Sequence, residues 1–232
     1  VRLEPDGKGH VARLGSGAAI SARHVIVATN GYTGAVAPWV RNRLIPVRSY
    51  MIATEMLPEA DIRSLIPGDR PIADTKRILY YYRTSPDRRR ILFGGRASFR
   101  DIDAATSARR LHRFMTGVFP ELADVTLTHA WFGNVAFAFD WLPHVGRHDG
   151  VWYACACNGS GVAMLSFLGH ALGELILGND SALKGLNRIP FPTLPTYRGT
   201  PWFLPIVGTA YRWQDRIAAW TDRSSPQTAS RN

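Results

Sequence analysis

The chain has 232 residues, of which 46% are hydrophobic and 11% aromatic, enough to bury one large core or two smaller ones. Its 28 basic and 18 acidic residues give a formal charge of +10, which suits nucleic acid, an anionic cofactor or an acidic substrate. The cations are scattered, however, and the densest run, Arg88, Arg89 and Arg90, follows a turn signal. No nucleic-acid-binding motif is present, so no nucleic-acid partner is expected. No apolar run is long enough to span a bilayer: residues 162–177 are interrupted by Gly169, His170, Gly173 and Glu174. The polar, glycine-rich opening lacks the pattern of a secretory leader. It enters part-way through a hairpin, which points to a missing beginning. Two cysteines, Cys155 and Cys157, would point to the same face of a strand, but two positions apart they make a poor disulfide. Their spacing also differs from that of zinc ligands, so no metal is expected with His144 and His148. A reduced, cytoplasmic setting is the simple expectation.

In chain order, residues 10–34 read as a hairpin turning at Gly15, Ser16 and Gly17. A buried strand, "HVIVAT", follows and is apolar enough for a central position. Residues 43–57 form a strand with Pro46 near its start. Residues 77–96 form two strands about the turn "SPD". Residues 103–119 carry Ala, Leu, Phe and Met at helical spacing, and Pro120 stops that helix. Residues 125–139 make a strand pair or one bent strand. Residues 150–178, "GVWYACACNGSGVAMLSFLGHALGELILG", run strand, glycine turn, helix. The stretch 188–208 is proline-rich and extended. Residues 209–220 form a short helix with Trp213, Ile217 and Trp220 on one side. The last twelve residues read as disordered. There are no internal repeats.

The glycines after the strand at 151–157 invite comparison with a dinucleotide-binding fold, and the comparison fails. Gly159 and Gly161 lack the third small residue, whose slot holds Met164. The helix leads into the proline-rich tail rather than a second strand with an acid at its end. Gly15 and Gly17 fail as well, since no helix follows them. Asn158, Gly159, Ser160 and Gly161 still open a helix whose first N–H groups lack intrahelical partners and carry partial positive charge. Such a turn suits a group that becomes negative during reaction. An ordinary cap is the alternative reading.

Four pieces in order, "ARHVIVATNGYT", "IPVRSYMIATE", "WFGNVAFAFDWLPHVGR" and "CNGSGVAMLSFLGHALGELILG", resemble the FAD-dependent amine and amino-acid oxidoreductases of the D-amino-acid-oxidase superfamily. The nearest likeness is to the γ-glutamylputrescine-oxidase-like branch, over most of residues 10–180. The resemblance implies an α+β fold: an antiparallel β-rich substrate domain with a helix, plus C-terminal pieces of an FAD-binding α/β domain. It places Ala28, Thr29, Asn30 and Gly31 near the cofactor, and Asp140, Pro143 and Gly146 beside the flavin. It also implies that Asn158, Gly159, Ser160, Gly161 and Val162 supply backbone donors to the ring. Members resembling glycine oxidase read W-x-G-x-R, and that arginine clamps the substrate carboxylate. Here Trp131-x-Gly133-x-Val135 puts Val135 in the arginine's place, which favours an amine over a simple α-amino acid. Sarcosine oxidases that attach flavin covalently carry a cysteine in the stretch before this aspartate, and none lies between Trp131 and Asp140, so the resemblance implies non-covalent FAD. The electron acceptor would be oxygen or a quinone.

The expected organisation is residues 1–45 as strands returning to the FAD-binding domain and 46–140 as the substrate domain. Residues 141–178 are the strand and helix at the flavin, and 179–232 a proline-rich tail with a short helix. Pocket candidates are Arg48, Tyr80, Tyr82, Arg96, Trp131 and Asn134, with core packing an equal reading for the two tyrosines. No general base stands out. The family's N-terminal Rossmann unit is absent from the sequence, so its ADP-binding half is absent too. Two other readings stay open on the sequence: a basic module for an acidic partner, and a truncated, non-catalytic remnant.

Overall fold

A computed structural model describes residues 1–7, 9–179, 183 and 185–224. In chain order it contains β1 (Arg2–Asp6), β2 (Gly9–Arg13), β3 (Ala19–Ala22), β4 (Ile26–Val27), α1 (Pro38–Arg41), β5 (Ile45–Thr54), α2 (Glu59–Leu65) and β6 (Ile72–Ala73). There follow β7 (Tyr80–Thr84), β8 (Ile91–Gly95), α3 (Ala104–Thr116), β9 (Leu127–Phe137), β10 (His144–His148), β11 (Val151–Cys155), α4 (Gly161–Ile176) and α5 (Leu204–Ser224). The chain divides into two compact units. The first is Val1–Val47 with Asn134–Pro201, and the second is Arg48–Gly133 with the chain from Trp202 onward.

The first unit holds two three-stranded sheets. One is the antiparallel meander β1-β2-β3. The other has the order β10-β11-β4, with β10 antiparallel and β4 parallel to β11. The alternation of side chains along β11 sorts its two faces. Ala154, with Val145 of β10, packs on Leu168, Ala171 and Leu172 of α4. Tyr153 and Cys155 point into a second cluster with Val27, Val40, Leu44, Ala136 and Phe191. Leu168, Ala171 and Leu172 stand three and four residues apart, so they form the buried stripe of α4. The sequence read "HVIVAT" as a central strand. In the structure only Ile26 and Val27 pair, at one edge of the sheet, and Ile26 is 49% exposed.

The second unit is built on a five-stranded sheet of order β6-β7-β8-β5-β9. The β6–β7, β7–β8 and β8–β5 pairs are antiparallel. Register puts Tyr50, Gly95 and Tyr80 in one row and Ile52, Phe93 and Tyr82 in the next. These residues face Leu111 and Met115 of α3 and Ile62 and Ile66 from the α2 region. Asp103 caps α3, its carboxylate accepting from the Thr106 N–H at 2.8 Å.

Two expectations need correction here. Residues 46–140 hold two α-helices rather than one, because Glu59 and Asp61 in the first turn after Pro58 start α2. Of the two readings of 125–139, a strand pair or one strand, the structure has the single strand, β9, of 11 residues. Helix begins at Leu204, inside the stretch read as extended, and continues to Ser224, past the point where disorder was expected. Trp213 and Ile217 are both exposed on that helix. The expectations for residues 225–232 and for the Trp220 side chain fall outside the described residues.

Candidate functional site

The turn that joins β11 to α4 departs from ordinary backbone geometry. Ala156, Asn158 and Gly159 have φ of +62°, +49° and +97°. Left-handed conformations cost little for glycine, more for asparagine and most for alanine, so the surroundings must hold them. Two asparagines do so. Asn30 Oδ1 accepts from the Ala156 N–H at 3.0 Å, while its amide donates to Cys157 Sγ at 3.4 Å. Asn158 Oδ1 accepts from the Ala138 N–H at 3.1 Å, and its amide donates to the Ala156 carbonyl at 2.8 Å. Asn30 itself sits at φ +45°.

The outcome is a helix N-terminus open to its surroundings. Ser160 occupies the N-cap position without a side-chain capping bond, and Val162 in the first turn is 92% exposed. A Cβ built on Gly159 would meet nothing within 4 Å. Asn30, Asn134, Val135, Cys157 and residues 159–163 line an open cavity of ≈ 690 Å³ in front of it. β9 reaches this cavity by passing close over the 3₁₀ turn Asn30–Tyr32. A Cβ on Gly31 would lie 2.6 Å from the Asn134 carbonyl oxygen, and the Asn134 N–H donates to Tyr32 Oη at 2.9 Å. Glycine at position 31 is therefore required by close approach.

Of the residues singled out in the sequence, the structure brings Asn30, Asn134, Gly159, Ser160, Gly161 and Val162 to this cavity, with Asn158 behind them. Ala28 and Thr29 are exposed and outside its lining. Asp140, Pro143 and Gly146 also lie outside it. Asp140 accepts from buried His144 Nε2 at 3.0 Å, and the His144 ring stacks on Phe191 at 4.0 Å. His148 stacks on Trp39, also at 4.0 Å. Cys157 and Val135 are lining residues too; the sequence marked Val135 as a departure from a motif and Cys157 only as a strand cysteine. The Cys155 thiol, on the inner face of β11, is pushed up by burial and by its neighbour Cys157.

In the second unit Tyr80 stacks on Phe114 and Tyr82 on Phe93, and both pack against the core. Tyr81 points the other way. It hydrogen-bonds Ser49, and burial raises its phenol while the Ser49 bond and the charge of Arg96 pull it down. Burial in turn lowers the Arg96 guanidinium. Gly94 gives room to the Tyr81 ring and the Met51 sulfur, since a Cβ there would collide with both. Strand alternation could have found this: residue 81 necessarily faces away from 80 and 82. Arg48 pairs with Asp101 at 3.1 Å and lies 4.5 Å from the Phe132 ring centroid. Trp131 is 42% exposed.

Residues 1–175 match the model of the FAD dependent oxidoreductase family. The chain belongs to that family. It is 30% identical over 217 residues to "Probable oxidoreductase OrdL" of Rhizobium meliloti, covering 92% of the chain and 49% of the relative. It is 32% identical over 203 residues to the gamma-glutamylputrescine oxidoreductase of Escherichia coli, covering 85% of the chain and 47% of the relative. Among solved structures it is similar to glycine oxidase from Geobacillus kaustophilus. There the TM-score is 0.61 at 17% identity, with 80% of this chain and 50% of that one covered. The chain thus spans about half the length of the curated relatives it matches. Among the described residues no helix is long and apolar enough to cross a membrane.

Proposed function

We propose that the chain supplies the flavin-ring end of an enzyme that oxidises the C–N bond of an amine, with FAD held non-covalently. The observation that carries this reading is the open N-terminus of α4. Its first N–H groups, the absence of a side-chain cap and the open room before Gly159 suit a planar ring edge that gains negative charge. When bound there, FAD would supply the oxidant, taking a hydride from the substrate carbon that bears nitrogen. The chain's own part is to hold that edge and to shape the space before it. Asn30 and Asn158 fix the turn so that its donors need no rearrangement. Cys157 lies buried and accepts from Asn30, an arrangement that fits a cofactor held without a covalent bond. The electron acceptor is oxygen or a quinone.

Val135 sets the substrate class in this reading. It lines the cavity beside Asn134 and offers no charge to a carboxylate next to the reacting carbon. A relative named for gamma-glutamylputrescine, an amine, supports the same choice. An arginine–carboxylate pair contributes roughly 1.5–3 kcal/mol, or about ten- to a hundredfold in selectivity. In the enzyme carrying this chain, Val135→Arg is expected to raise kcat/KM for D-alanine relative to a primary amine by about that factor. Efficient turnover of D-alanine by the unaltered enzyme, unmoved by the substitution, would contradict the assignment.

A further inference from the structure

We infer that an arginine-lined cavity in the second unit binds a small organic oxyanion, a phosphate or carboxylate carried on a short apolar body. The cavity has a volume of ≈ 670 Å³ and is separate from the α4 turn in sequence and in lining. Three arginines line it from three elements: Arg100 from the loop after β8, Arg110 from α3 and Arg212 from α5. Its one lining carboxylate, Asp101, is paired with Arg48 at 3.1 Å. Like charges gathered around one space repel each other, and an anion between them removes that cost.

Arg110 is held in place by a bond from Nη1 to the Ala97 carbonyl at 3.1 Å, which uses one of the five donors of a guanidinium. Arg212 lies 5.8 Å from the Phe99 ring centroid, a distance at which a cation is drawn to the ring face. The arginines of the β7–β8 hairpin are arranged differently. There Arg88 pairs with Asp69, and Arg90 donates to the Thr54 carbonyl and to Thr128. Charge alone therefore does not make such a site. The rest of the wall is mixed: Ser98 and Thr209 are polar, while Phe99, Ile102, Pro205 and Ile206 give it an apolar side on which Ile206 is 68% exposed. A bare inorganic ion would leave that surface in water, whereas a short alkyl chain would cover it.

The test is isothermal titration calorimetry on the full chain at low ionic strength, with butyl phosphate, butyrate and inorganic phosphate as probes. One saturable site per chain is expected, and butyl phosphate should bind more tightly than inorganic phosphate. The tighter of butyl phosphate and butyrate identifies the head group. Arg110→Gln and Arg212→Gln, on different helices, should each weaken binding by roughly tenfold or more. Arg88→Gln should leave it unchanged, and Ile206→Ser should abolish the preference for the alkyl probe. Far-UV circular dichroism of each variant checks that the fold is retained. No saturable binding, or an equal loss from Arg88→Gln, would overturn the proposal. Its failure would leave the flavin reading untouched, because none of these residues lines the α4 cavity.

Discussion

Asn158 does the most at the residue scale, because one side chain sustains a backbone conformation that the chain would otherwise avoid. Its carbonyl oxygen satisfies the Ala138 N–H and its amide the Ala156 carbonyl, while its own φ is +49°. Asn158→Ala removes both bonds and leaves a left-handed alanine, a combined loss of about 2–4 kcal/mol. Urea denaturation of the chain should show it as a lower midpoint with an unchanged slope. Gly161 behaves differently. A Cβ there would sit 3.5 Å from Cys157 Sγ, an ordinary contact, and its φ is not left-handed. Gly161→Val should therefore leave the fold stable while crowding the space before α4. In the enzyme carrying this chain, FAD affinity or flavin reduction rate is expected to fall, with the thermal midpoint little changed. A fall in stability with unaltered flavin binding would assign the glycine to folding alone. Residue identity alone pointed to this turn, because Asn-Gly-Ser-Gly before an apolar helix is a backbone signal. That Asn30 braces it across 126 positions was not legible, since no local pattern encodes such a contact.

Elements were legible where their periodicity was strong. The helix at 103–119, the two strands about "SPD" and the strand–turn–helix at 150–178 follow from patterns that local chemistry imposes. Alternation puts Tyr80 and Tyr82 on one face and Tyr81 on the other, and it is the packing in the structure that sets the first two against the core. What the sequence hid depends on distant partners. β4 is short because it pairs with a single neighbour, β11, over two residues. α5 reads poorly because Pro205 and Gly208 interrupt its start, yet Gly208 is the residue that lets the helix lie against the Phe99 ring. Asp215 then fixes its middle, its carboxylate accepting from the Arg77 and Ile78 N–H groups at 3.0 and 3.2 Å. Asp215→Ala removes the acceptor for two backbone donors and should cost about 1–3 kcal/mol. Amide hydrogen exchange should then quicken in α5 and at residues 77–78. Exchange confined to its original rate would show that apolar packing alone holds the helix.

For the whole molecule, family membership follows from the match over residues 1–175, and the relatives matched are about twice as long as the matched part. The motifs that gave the likeness lie on different elements, which is why the ordered set is more specific than any one of them. No glycine-rich βα unit of the pyrophosphate-binding kind reads from this sequence, which is consistent with the proposal that the chain meets the flavin end of FAD. On this account the 232 residues alone hold FAD weakly, and tight binding requires the family's dinucleotide-binding half. The most direct test is the visible spectrum of bound flavin in two preparations, the chain alone and the chain joined to that half. Excess FAD is removed from each, and a primary amine is then added without oxygen. The account predicts a colourless isolated chain and a joined protein with stoichiometric flavin that the amine bleaches, Gly161→Val diminishing the bound flavin or the bleaching. Tight flavin binding by the isolated chain, or a flavin-loaded joined protein that no amine reduces, would contradict it.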